Sequence, residues 1–66
     1  MAEHRTVEHQ GVEISAHAIE SGGGWRWWYT LGGAERHDCD GRALPDPDLA
    51  LSEAIDDAKR RVKART

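Results

Sequence analysis

Trp25-Arg26-Trp27-Trp28-Tyr29-Thr30-Leu31, with Ser21-Gly22-Gly23-Gly24 before it and Gly32-Gly33 after it, is the stretch on which the fold turns. It holds every tryptophan and tyrosine of a 66-residue chain that has no phenylalanine. Aromatic and β-branched side chains suit a pleated, half-buried surface. Alternation sends Trp25, Trp27, Tyr29 and Leu31 to one side and Arg26, Trp28 and Thr30 to the other. The first row is larger and more apolar, so it is expected to face the core. The glycine runs suit the positive φ angles of hairpin loops, so the chain is expected to reverse on both sides of this strand.

Upstream, Val12, Ile14, Ala16 and Ala18 recur at every second position, the pattern of a half-buried strand. Downstream, Ala34 to Asp40 is polar and reads as an edge strand whose charges discourage pairing with other chains. Leu44-Pro45-Asp46-Pro47-Asp48 reads as a linker, because each proline lacks an amide donor and restricts the residue before it. Beyond it, Leu51, Ala54, Ile55, Ala58 and Val62 draw one apolar stripe at helical spacing, capped by Ser52 or, one turn earlier, by Asp48. Glu53, Asp56 and Asp57 sit near the positive end of that helix, and Asp56 with Arg60 and Asp57 with Arg61 stand four apart in the acid-first order. The expected fold is α+β, one domain over residues 1–66 in the order βββα. Its three-stranded antiparallel sheet of two hairpins (strands 6–20, 25–31 and 34–40) packs on a carboxy-terminal helix at 50–64, and residues 1–5 form a disordered arm.

A chain this short supports one thin core and no deep cleft. Cys39 is the single cysteine, which excludes an internal disulfide and fits a reducing cytoplasm. No apolar run is long enough for a signal-peptide core or a membrane span, so no membrane partner is expected. The net charge of −3 conceals a split. All twelve acids precede Lys59, whereas Lys59, Arg60, Arg61, Lys63 and Arg65 crowd the end. That basic end complements the helix dipole, or serves as a weak polyanion-binding tail. With four histidines against a small acidic excess, solubility is expected to be lowest between about pH 5 and 6.

His37-Asp38-Cys39-Asp40 is the one cluster of metal-ligand residue types, and it is half of a zinc site that His9 or His17 would have to complete. Carboxylates on either side of Cys39 oppose thiolate formation. Nucleophile elbows, phosphate-binding loops and dinucleotide fingerprints are missing. No catalytic residue, metal or cofactor is therefore expected, and the chain reads as a non-enzymatic module.

One helix covers one face of the sheet, so the Arg26, Trp28, Thr30 row is left facing outward. A tryptophan there is costly to expose. Trp and Arg are enriched at protein interfaces, which makes this row a candidate contact surface for a protein partner or a homodimer. The other expectation is nucleic acid, with bases stacked on Trp28 and phosphates paired with Arg26, Arg36 or the helix tail. Arg26 stacked on Trp28 as a local cation–π pair would need no ligand.

The glycine-flanked Trp25-Arg26-Trp27-Trp28-Tyr29 strand, the Asp-Gly and proline linker, and Leu51-Ser-Glu-Ala-Ile-x-x-Ala-Lys together resemble small uncharacterised bacterial proteins of strand-strand-strand-helix layout, a domain of unknown function. Ser52-Glu53-Ala54-Ile55-x-x-Ala58 is similar to the helix start of HicB-type antitoxin domains, which implies a toxin as partner. The strand order with Arg and Trp on the second strand is similar to the sheet-reading DNA-binding domains of plant ethylene-response factors and phage integrase amino termini. That likeness implies DNA contact through the sheet.

Overall fold

The computed structural model describes residues 2–39 and 41–65. The layout is α+β, with an antiparallel sheet and one carboxy-terminal helix. The sheet has four strands where three were expected: β1 (Ala2–His9), β2 (Val12–Ser21), β3 (Gly24–Leu31) and β4 (Glu35–Asp38), followed by α1 (Pro47–Ala64). The strands lie in sequence order β1-β2-β3-β4, a simple meander.

The extra strand arises because residues 6–20 are not continuous. Gln10 and Gly11 take φ values of 51° and 79°, the pair of positive angles that a two-residue type I′ hairpin needs. His9 thereby pairs with Val12, and the ladder runs back to Ala2 opposite Ile19. The expected disordered arm is thus ordered as strand from Ala2 onward, while Met1 lies outside the described residues. Gly22-Gly23 and Gly32-Gly33 make the next two reversals, again with positive φ throughout. The last strand is shorter than expected and ends at Asp38; Asp40, placed at the end of the expected strand, lies outside the described residues. A backbone bridge from Trp25 to Leu44 continues that side of the sheet. It brings the linker so close that a Cβ on Gly24 would stand 2.6 Å from the Ala43 methyl.

The helix starts three residues before the expected Ala50. Asp46, not Ser52 or Asp48, is its cap, with its carboxylate accepting from the Leu49 N–H at 2.9 Å. Pro47 at the first helical position gives up an amide that would have had no partner there, and its ring presets φ for the helix. Tyr29, Ile14, Leu31, Ala16 and Ala18 from the sheet meet Ala50, Leu51, Ala54, Ile55, Ala58 and Val62 from the helix. Alanines at the crossing let the helix approach closely, and Tyr29 fills the remaining space with no exposure at all. Trp25 and Trp27 pack against the margin of this core.

Candidate functional site: the open face of the sheet

The face away from α1 carries the even-numbered residues of β1, β3 and β4 and the odd-numbered residues of β2. Arg26, Trp28 and Thr30 lie there, as the alternation of β3 predicts. Cross-strand register sets His4 against His17 and His17 against Trp28. The rings form a column across the strands: His4 and His17 are stacked at 5.9 Å, and His17 and Trp28 at 4.0 Å with planes 10° apart. Arg36 closes it, with its guanidinium carbon 4.1 Å from the indole centre. The same guanidinium is held by Asp38, whose Oδ1 accepts from Arg36 Nε at 3.0 Å.

Both faces of the Trp28 indole are therefore occupied from within the chain. The cation on Trp28 is Arg36 rather than the expected Arg26. Residues i and i+2 on one strand stand about 6.6 Å apart, too far to stack flat, whereas a long side chain on the adjacent strand reaches diagonally. Burial inside the column, reinforced by the neighbouring His4 and Arg36, lowers the pKa of His17. Trp28 Nε1 is buried and has no hydrogen-bond partner among the described residues, a defect of about 1–3 kcal/mol.

Beside the column lies a shallow hollow of about 390 Å³, lined by Ile19, Arg26, Trp28, Arg36, Asp38 and Cys39 among others. Ile19 is 44% exposed. Arg26 is exposed, and no ion pair engages it among the described residues. An apolar floor beside the Arg26 guanidinium, with Arg36 already held by Asp38 and Trp28, suits a ligand with an apolar or aromatic body and one carboxylate directed at Arg26. His4, His17, Ile19 and Arg36 do not belong to the Arg26, Trp28, Thr30 row named from the sequence. The period of β2 already points His17 and Ile19 outward, but His4 becomes visible only once residues 2–9 are known to be a strand.

The helix side presents different chemistry. Tyr29 OH donates to Asp57 Oδ2 at 2.6 Å and accepts from Arg61 Nε at 2.9 Å. Burial, then the bond to Asp57, raises the tyrosine pKa. Asp57 also pairs with Arg61 and Arg60, each at 3.6 Å. Arg60 thus finds Asp57 three residues back, not the expected Asp56. Glu35 accepts from Arg65 and meets His37 Nε2 at the same carboxylate oxygen. Arg65 first and His37 second hold the Glu35 carboxyl down to about 2.

These bonds engage His37 with a carboxylate, while His17 stands on the opposite face from His37. Among the described residues, no group of three or more His, Cys, Asp or Glu side chains gathers in metal-binding proximity. No helix among them is long and apolar enough to cross a membrane.

Fold and surface together define a small α+β domain with one helix-covered and one aromatic, solvent-facing side. No family model, curated protein or solved structure matches the chain.

Proposed function

We propose that this chain is a non-catalytic binding module whose open sheet face engages a protein partner. The observation that carries this is the hollow beside Trp28, where the exposed side chains of Ile19 and Arg26 flank a preformed ring column. Arginine and tryptophan at the centre of a patch are the residues that dominate protein interfaces. Here the stack already fixes Trp28 and Arg36, which lowers the ordering cost of binding. A segment with an aromatic or aliphatic anchor beside Ile19 and a single carboxylate aimed at Arg26 is the complementary surface, since Asp38 already holds Arg36. A toxin bound by an antitoxin-like module is one case of such a partner.

Nucleic acid is the weaker reading. Base stacking needs a free aromatic face, and His17 and Arg36 fill both faces of Trp28. Glu8 and Glu13 add like charge against phosphate on the same side of the sheet. The test uses the intact chain as bait, comparing wild type with Trp28→Ser and Arg26→Glu, alongside a labelled random oligonucleotide at low and moderate salt. The expected result is a protein partner that wild type retains and both variants release, with no oligonucleotide binding. Oligonucleotide binding that weakens steeply with salt and disappears in Arg26→Glu would overturn the proposal in favour of nucleic acid.

A further inference from the structure

We infer that the free edge of β1 is a self-association surface, on which a second copy of this chain adds its own β1 antiparallel to form one continuous eight-stranded sheet. The backbone groups that form it lie along the strand edge rather than on the open face, although His4 and Glu8 present side chains to both, and its existence does not depend on the function proposed above.

The first ground is the backbone. The Glu13 carbonyl accepts from the Gly32 N–H at 2.9 Å, so Glu13 turns its backbone toward β3. Backbone direction alternates along a strand, so Ile14 turns to β1 and engages Val7, its partner in the register. The amides and carbonyls of Val7, Arg5, Glu3 and His9 are thereby directed into the sheet, and those of Ala2, His4, Thr6 and Glu8 point to the free side. β1 is eight residues long and contains no proline. Unpaired amides and carbonyls along a long, regular edge can template a further strand, and the charged side chains of β1 restrict that strand to a register pairing opposite groups. By contrast, β4 at the other edge has four residues.

The second ground is charge complementarity, which selects a register. An antiparallel ladder joins outward-directed residues only to outward-directed residues, so even positions must face even positions and the two-fold axis falls on a residue. Placed on Thr6, the axis sets His4 against Glu8 of the second copy, Glu3 against His9, Arg5 against Val7, and Thr6 against itself. The two His4–Glu8 pairs and two Glu3–His9 pairs each oppose an imidazole donor to a carboxylate. Placed on Arg5, the axis would put Arg5 against Arg5. The Thr6 register forms three hydrogen-bonded residue pairs with two N–H···O bonds in each, about six in all. It keeps both helices on one side of the sheet, so the two open faces merge into one wider surface.

Light scattering coupled to size-exclusion chromatography of the full chain at about 100 μM tests this. Wild type and Trp28→Ser are expected at twice the chain mass. Thr6→Pro removes an amide that makes no bond within the chain and is expected to fold, since edge strands accept proline where the N–H points outward. With two bonds lost at the axis, its dissociation constant should rise about 10- to 100-fold. His4→Glu places four carboxylates across the junction and should also yield monomer, and adding Glu8→Lys should restore the dimer. That charge cycle leaves the backbone intact, so it decides the matter even if Thr6→Pro unfolds. A monomeric wild type overturns the inference, even if an unrelated extended peptide then binds the edge. A dimer that persists in His4→Glu, or one that Glu8→Lys fails to restore, overturns it as well. Loss of the dimer in Trp28→Ser but not in Thr6→Pro assigns association to the open face instead.

Discussion

The two sides of β3 are neighbours in sequence and differ in how they cohere. Tyr29 points under the helix, has no exposure, and is held by apolar packing plus one polar bridge from its hydroxyl to Asp57 and Arg61. Trp28, one residue earlier, points away from the helix and is held face to face in a column of rings capped by a guanidinium. A tryptophan without a covering layer need not lie exposed. His4 and His17 in register on β1 and β2, with Arg36 reaching diagonally from β4, build a column around it.

The contrast breaks most visibly at Tyr29. Tyr29→Ala should cost about 3–5 kcal/mol, since a large buried side chain leaves a cavity. For 66 residues that is comparable with the whole stability of such a domain, roughly 3–10 kcal/mol. Circular dichroism should find the variant largely unfolded, and a cooperative transition near that of wild type would mean that Tyr29 is not the centre of the core. Trp28→Ala removes stacking and cation–π interactions from a half-buried position, for about 1–2 kcal/mol. Urea titration should show a lower midpoint with a folded baseline; a loss as large as that of Tyr29→Ala would erase the distinction between the two faces.

Tyr29→Phe sharpens the comparison by deleting the hydroxyl alone. About 1 kcal/mol is expected, because Asp57 and Arg61 still hold each other at the surface. Thermal melts of the variant with and without Asp57→Asn should be non-additive if the hydroxyl and carboxylate act together.

Smallest are the effects of pH, and both run in the same direction. Glu35 is held down to about 2 from 4.5, so its contribution is present above about pH 4.5 and is lost as pH falls toward 2. His17 also has a lowered pKa. The unfolded chain therefore takes up that proton first, and the contribution of His17 is present above about 6.5 and lost as pH falls through its folded value. Melting temperature should decline in two stages on acidification, with the higher stage absent in His17→Gln and the lower one absent in Glu35→Gln. A single decline unaffected by either substitution would remove the titrations from the account.

Much of this was legible in the chain, because the relevant physics is periodic and local. The alternation at residues 25–31 assigned every ring to its side, and the stripe from Leu51 to Val62 assigned the helix its buried face. The first strand escaped notice because Ala2 to His9 has one strong apolar residue, Val7, and so lacks an amphipathic signal. Its turn, Gln10-Gly11, is also a less usual pair for a type I′ hairpin than Asn-Gly. The helix cap was misplaced because Asp46 and Pro47 look like linker until the helix they start is known.

From local pattern alone the sequence determined the α+β class, the inward row of Trp25, Trp27, Tyr29 and Leu31, and the outward placing of Arg26, Trp28 and Thr30. Tertiary structure decided what those outward residues meet. His17 and Arg36 reach Trp28 from the two adjacent strands, His4 stacks behind His17 from a third, and Asp57 and Arg61 reach Tyr29 from about thirty residues away. Side-chain period is a property of one strand and can be read along it. Register between strands depends on turns whose length and φ angles are settled only when the chain closes on itself, and with register comes every interaction that makes the open face a surface.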